Sequence, residues 1–268
     1  MIIVFSKDRA MQLGACLDGL LECCDDSEWL KVIVLYKASD ERHAKQYKKL
    51  AGEYRWFNFI SEVNFRDQVI SMIGGTTSDY IGFLVDDDMF CREFSYNVGK
   101  AILQTNSDIL SICYRLGKNI TYSYMHDGPE VQPDFISMGG HLKFNWMYGK
   151  WAWGYPLELC HSLYRKKDIL PLLNCLNYQN PNQLEAALNG QKNLFCHRPF
   201  VDCPSVSASF TTPINVVQNV FKNRGGHDTQ YSVESLADMF DKGKRIEIEP
   251  FDNYTPKSVH EPQELKFI

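Results

Sequence analysis

Tyr80-Ile81-Gly82-Phe83-Leu84-Val85-Asp86-Asp87-Asp88 is a short apolar run that ends abruptly in three carboxylates. Its first six residues read as a buried strand, because a run of this length between polar flanks suits a strand covered on both faces. The three acids then stand at the strand's carboxyl end, where open α/β sheets bind their ligands. Three adjacent carboxylates repel one another and call for a counter-ion. Hard cations such as Mg²⁺ or Mn²⁺ take oxygen ligands, commonly one or two carboxylates completed by substrate phosphates and water. A solvated acidic turn capping a helix from Met89 onward is the plainer reading.

Upstream the pattern repeats. Ile2–Phe5 is a strand, Ser6-Lys7-Asp8-Arg9 a polar loop, and Met11, Leu13, Leu17, Leu20 and Leu21 recur at helical spacing. Lys31–Tyr36 predicts a second strand, 37–40 a turn and Glu41–Glu53 a charged helix; Phe57–Ile60 predicts a third strand and Phe65–Ile73 a helix ended by Gly74-Gly75. Strands alternating with helices imply a mostly parallel sheet covered on both faces. No spaced glycines follow the first strand, so a dinucleotide fingerprint is missing, and no phosphate loop of the Walker type occurs.

Downstream of Ser111 the texture changes to crowded aromatics among glycines, Trp146 to Tyr155 most densely, with no linker between the halves. We therefore expect a single domain over 1–268, in two halves of about 1–112 and about 113–268. Its 44% hydrophobic and 23% charged residues exclude a disordered or fibrous chain. A net charge of −5 lacks the basic excess that displaces counterions from nucleic acid, so nucleic acid is an unfavoured partner. The early charges Lys7, Asp8 and Arg9 cut short any signal-peptide core, and no apolar run approaches membrane-spanning length. Nine cysteines without paired spacing suggest reduced thiols rather than disulfides or a zinc site at Cys196-His197. These points lead us to expect a cytoplasmic protein that leaves room for peripheral membrane contact.

Ile2–Arg9, Phe65–Ile73 and Phe83–Asp88, followed by Leu116-Gly117-Lys118-Asn119, Trp153-Gly154-Tyr155-Pro156 and Ser258-Val259-His260-Glu261, resemble the parts of a GT-A fold glycosyltransferase of the Asp-x-Asp type. The resemblance covers most of the chain. It implies a Rossmann-like, mixed but mostly parallel sheet flanked by helices, with a second lobe for an acceptor. It also implies a nucleotide-diphosphate sugar as donor, UDP-sugar favoured and GDP-sugar possible, and Mn²⁺ or Mg²⁺ as cofactor. The acceptor would be a glycan or glycoconjugate hydroxyl. Asp86 and Asp88 become metal ligands, with Asp86 also near the ribose and Asp87 ambiguous. His260, near the C-terminus, becomes a third ligand, for which imidazole is suited.

The donor's base would lie over Ser6, Arg9 and Asp40, although Asp40 also fits as a cap for the helix at Glu41. Arg66 is a donor contact by family analogy. Lys222 and Arg224 offer positive charge to the diphosphate, with His227 a rival metal ligand. Inversion at the sugar would need a carboxylate base: Glu185 is the first choice and Glu158 the second, although Asn182 followed by Glu185 also reads as a capping box. Trp153 and Tyr155 would stack on acceptor sugars. Two alternatives share the fold: a sugar-nucleotidyltransferase, which wants a glycine-rich basic loop that Ser6–Gly14 lacks, and a non-catalytic glycan- or nucleotide-binding protein.

Overall fold

The computed structural model of the chain describes residues 1–217, 224–225 and 229–268. Its N-terminal part runs β1 (Ile2–Lys7), α1 (Ala10–Cys23), β2 (Val32–Lys37), α2 (Glu41–Glu53), β3 (Asn58–Ser61), α3 (Phe65–Gly74) and β4 (Tyr80–Val85). The two elements with the cleanest patterns, α2 and β4, begin and end where the sequence predicts. α2 and α3 each start on a side chain that meets an orphan backbone N–H: Asp40 accepts from the His43 N–H at 2.9 Å, and Asn64 from the Asp67 N–H at 3.2 Å, whereas α1 has no side-chain cap.

The helix that the plainer reading starts at Met89 does not form. Instead β5 (Asp88–Phe90) turns back and pairs with a strand far downstream, after which come α4 (Tyr96–Thr105) and β6 (Ile109–Cys113). The second half adds the small hairpin β7 (Tyr122–Ser123) and β8 (Gly128–Pro129), then β9 (Phe135–Met138), β10 (His141–Asn145), β11 (Ser162–Arg165), α5 (Lys166–Cys175), α6 (Pro181–Gly190), β12 (Phe200–Pro204), β13 (Ser209–Thr211) and α7 (Val233–Asp241).

Nine strands form one sheet in the order β3-β2-β1-β4-β11-β6-β12-β10-β9. The run from β3 to β4 is parallel, β11 is antiparallel to both its neighbours, and β12 returns parallel to β6. This is a mixed sheet, seven of its nine strands pointing the same way, flanked by helices. Alternate residues of β1 feed two cores: Ile2 and Val4 pack with α1, α2 and α4, while Ile3 and Phe5 pack with α3, α5 and α6. Both faces are dry, so the polar ends of β1 and β4 are forced to the sheet's edge, side by side, with Phe5 opposite Val85. That adjacency positions the site. Among the described residues no helix is long and apolar enough to cross a membrane, and all nine cysteines are free thiols.

Candidate active site

The loop after β1 and the turn after β4 meet as one polar cluster. Asp86 accepts from the Ser6 hydroxyl at 2.8 Å, from the Lys7 backbone N–H at 3.2 Å and from Arg9 at 3.0 Å. The same Arg9 nitrogen stands 3.0 Å from Asp87, and its partner nitrogen donates to the Asn215 carbonyl at 2.5 Å. Burial pushes Asp86 up to about 6 even with Arg9 beside it. Although burial opposes it, Asp86 and Asp87 together hold Arg9 above its ordinary value. Ser6 and Arg9 therefore stand where the sequence places them, as neighbours of the acidic turn.

Asp88 does not. It is fully buried, with one oxygen accepting from the Val85 N–H at 3.1 Å and the other from the Thr211 hydroxyl at 2.7 Å. Those bonds lock β5 against β13, and burial drives the carboxyl up to about 7. Both Asp88 oxygens are thus engaged, as are both oxygens of Asp86, one by Arg9 and the other by Ser6 and the Lys7 N–H, but Asp88 is the most deeply buried of the three acids. Asp87 differs in that its second oxygen has no partner among the described residues. Hard divalent cations need only one or two carboxylates when phosphate oxygens complete the shell. Asp86 and Asp87 fit that pattern, although among the described residues no three His, Cys, Asp or Glu side chains gather as a self-sufficient metal cluster.

The C-terminal segment reaches the same place. Thr211 forms a bridge to His260 and faces Asp88 across β5–β13, so the histidine lies one strand from the acidic turn. Its imidazole is held neutral, pushed down to about 3 by burial and by Arg115, whose nitrogen stands 3.5 Å from Nε2. Arg115 itself, 3% exposed, was not singled out by the sequence. It donates to Thr211 at 2.8 Å and to the carbonyl of Cys160 at 3.1 Å, and pairs closely with Glu158. An arginine directly following the apolar run of β6 was the available signal.

Glu158 is spent on this network. One oxygen takes Arg115, the other takes the Cys113 thiol at 2.5 Å and the Ser162 hydroxyl at 2.9 Å, which leaves nothing for an acceptor hydroxyl. Glu185 is different. The cap of α6 is Asn180, which accepts from the Gln183 N–H at 2.9 Å, while Gln183 reaches back to the Gln179 N–H at 2.8 Å. The capping box is therefore shifted away from Glu185. Glu185 instead accepts from the Leu159 N–H at 2.8 Å and lies against the Tyr155 hydroxyl. Its carboxyl is raised, first by burial and then by Glu158. Cys160 links the two regions, its thiol driven up by burial while also feeling Arg115, Asp88, Glu185 and Glu158.

Other expectations are corrected. Asp40 caps α2 and bonds the His43 ring at 2.9 Å; Asp8, at φ +56, holds Ser39 by two bonds of 2.7 and 2.6 Å and leaves Asp40 outside the site. Arg66 ties α3 to the end of α5 through the carbonyls of Leu176 and Asn174. Arg224 pairs with Asp127 at 2.7 Å and stacks over Tyr124, clamping the β7–β8 hairpin rather than the acidic turn. Lys222 and His227 lie outside the described residues. Trp153 is wholly buried between Phe135 and Phe144 and cannot stack on a sugar. Gly149 and Gly154 serve each other instead of a ligand: a Cβ on either would lie 2.3 Å from backbone oxygen of the same turn.

Glu130 is a feature no sequence signal marked. It is 8% exposed, and its carboxylate oxygens are sealed from solvent with the Ala152 backbone N–H as their neighbouring donor. Burial pushes it up to about 7 from 4.5. An acid whose folded pKa is raised is penalised once it must ionise, so its contribution to stability falls as pH rises between the unfolded and folded values. Urea midpoints for the wild type and Glu130→Gln at about pH 5 and about pH 8 should therefore diverge in the variant's favour toward high pH. Parallel pH profiles would contradict this.

No family model matches the chain. A bifunctional glycosyltransferase, pgtA, of Dictyostelium discoideum is 29% identical over 97% of the chain. The chain is homologous to a glycosyltransferase. It spans 38% of that relative's length. Among solved structures, S. aureus TarS residues 1–349 in complex with UDP matches at TM-score 0.47 and 13% identity, over 78% of this chain and 58% of that one. A CMP:2-keto-3-deoxy-manno-octonic acid synthetase complexed with CTP matches at TM-score 0.40 and 12% identity, over 91% of this chain and 98% of that one. Structural likeness this loose separates neither reaction from the other. For the glycosyltransferase homologue the site itself has to decide.

Proposed function

We propose that the chain transfers a sugar from a nucleotide-diphosphate donor to a hydroxyl of a glycan or glycoconjugate, with a divalent cation at the acidic turn. The observation that carries this reading is the pair Asp86–Asp87 at the carboxyl end of β4, flanked by Ser6 and Arg9, with a raised carboxylate, Glu185, across the network of Arg115. When bound, Mn²⁺ or Mg²⁺ neutralises charge on the departing diphosphate. Asp86 and Asp87 would hold the ion, with the neutral imidazole of His260 one strand away.

The remaining steps belong to side chains. Ser6 and the Lys7 N–H fix the Asp86 carboxylate, and Arg9 keeps Asp86 and Asp87 from repelling each other. Arg115, anchored on Thr211 and Glu158, keeps positive potential beside the segment that carries His260. Glu185, oriented by the Leu159 N–H and Tyr155, takes the acceptor hydroxyl's proton if the reaction inverts. The chain would work as one domain, with the sheet's β1–β4 side binding donor and the β9–β12 side with α6 binding acceptor.

Calorimetric titration of UDP and GDP, with Mn²⁺ and with a chelator, tests this reading. One nucleoside diphosphate should bind at least about 10-fold more tightly with metal, and Asp87→Asn should lose that gain while Asp40→Asn keeps it. Metal-independent binding of both nucleotides, or an Asp87→Asn variant indistinguishable from wild type, would refute the metal assignment.

A further inference from the structure

Arg9 stands where a cation would. One of its terminal nitrogens lies 3.0 Å from Asp86 Oδ1 and 3.0 Å from Asp87 Oδ2, so that a single nitrogen bridges the two acids. The other donates to the Asn215 carbonyl at 2.5 Å. Asn215 is fixed in turn, its side chain accepting from Gln12 at 3.0 Å and donating to the Tyr231 carbonyl at 2.8 Å. The side chains of Arg9, Asp86 and Asp87 are only 8%, 5% and 13% exposed, so solvent screens their charges little.

Two observations show that the guanidinium fills this seat incompletely. Among the described residues it is the one cation paired with either acid, so one positive charge meets two negative ones. Its Nε is buried and has no hydrogen-bond partner among the described residues, a shortfall that buried polar groups rarely carry. A divalent cation would balance both carboxylates. It cannot share the seat with Arg9, because Arg9 holds Asp86 Oδ1 and Asp87 Oδ2 while Ser6 and the Lys7 N–H hold Asp86 Oδ2, which leaves open only the second oxygen of Asp87 among the described residues.

We propose that Arg9 is the resident counter-ion of the acid pair, and that a divalent cation binds Asp86 and Asp87 together only when the guanidinium swings off them. The proposal rests on the reading of this site as one for metal and nucleotide diphosphate. Off the acids, an arginine tethered at Asn215 has the diphosphate as its next anionic partner, and its planar fork suits phosphate oxygens. Cation and diphosphate are then coupled, each favouring the posture of Arg9 that admits the other. In the protein without nucleotide, apparent metal affinity is reduced by the fraction of molecules in which Arg9 still holds the acids.

The test titrates the full chain with Mn²⁺ by calorimetry, without nucleotide and with UDP or GDP present. Without nucleotide, Arg9→Gln should bind Mn²⁺ at least about 10-fold more tightly than wild type, and adding Asp87→Asn should abolish that gain. Nucleotide should raise Mn²⁺ affinity more in the wild type than in Arg9→Gln. Since the substitution leaves two buried carboxylates without their counter-ion, Arg9→Gln should melt below wild type in EDTA and recover most of the difference with Mn²⁺. Should Arg9→Gln not fold, Asn215→Ala, which keeps the arginine and loosens its tether, should shift Mn²⁺ affinity in the same direction. Mn²⁺ affinity no higher than wild type, with no thermal recovery, overturns the counter-ion role; metal-dependent nucleotide binding in the wild type would then leave the transferase reading standing. Tight Mn²⁺ binding by Arg9→Gln, in a chain whose nucleotide affinity is the same with Mn²⁺ and with chelator, would instead sink the metal-assisted reading and keep the counter-ion.

Discussion

Glu185→Gln should lower turnover on the order of 10²–10⁴-fold while leaving donor affinity nearly unchanged. The substitution keeps volume and keeps the acceptor oxygen for the Leu159 N–H, so the fold around α6 has no reason to change. What disappears is the group that accepts the hydroxyl's proton. The carboxyl's raised pKa, caused mainly by burial and also by Glu158, brings it closer to working pH than an exposed glutamate. A structural role would give the opposite split, with a lower melting temperature and intact turnover per folded molecule. That role is weakened because Asn180 and Gln183, not Glu185, close the capping box. If Glu185→Gln turns over normally and is as stable as wild type, the reaction proceeds without a protein base at this position, as retention would allow.

Arg115→Met is expected to destabilise the chain by about 3–5 kcal/mol, the usual cost of stranding a buried charge. Among the described residues Arg115 is the one cation paired with Glu158, and it also donates to Thr211 and to the Cys160 and Val259 carbonyls. Removing it leaves a buried carboxylate facing two other acids, Asp88 and Glu185, through the same network. The double variant Arg115→Met with Glu158→Gln should recover part of the loss, since no unpaired charge remains, although the Thr211 hydroxyl still lacks its donor. Equilibrium unfolding in urea measures both. A double variant less stable than Arg115→Met alone would show that Glu158 earns its place independently of the arginine.

The fold was legible where periodicity is local. The amphipathic stretch Glu41–Glu53 and the apolar run Tyr80–Val85 carry their boundaries in their own residues, and alternating strands with helices fixed the parallel half of the sheet. The site was legible in part, for the same reason: Ser6, Arg9 and Asp86 follow directly on strands whose ends must converge. That Asp88 is the acid facing the core was not legible, because three identical side chains in a row do not reveal which one turns inward. That choice is made by the pairing of β5 with β13, over a hundred residues downstream. Trp153 and Trp151 differ likewise only by their position on a short turn whose direction the mutual contact of Gly149 and Gly154 sets. Arg66 enters as a donor contact by family analogy and Arg224 as a diphosphate ligand by charge; their partners, the carbonyls at the end of α5 and Asp127 of the hairpin, are tertiary neighbours that no local pattern announces.

The central claim, that donor chemistry occurs at Asp86–Asp87, is tested most directly by the nucleotide product. The chain is incubated with UDP- and GDP-sugars, Mn²⁺ and a panel of simple glycosides, and separately with sugar 1-phosphates and nucleoside triphosphates, and the products are resolved by anion-exchange chromatography. The account predicts release of a nucleoside diphosphate from one nucleotide sugar, lost in Asp87→Asn and strongly slowed in Glu185→Gln. Formation of a nucleotide sugar with pyrophosphate from the second mixture, and no diphosphate from the first, would contradict it.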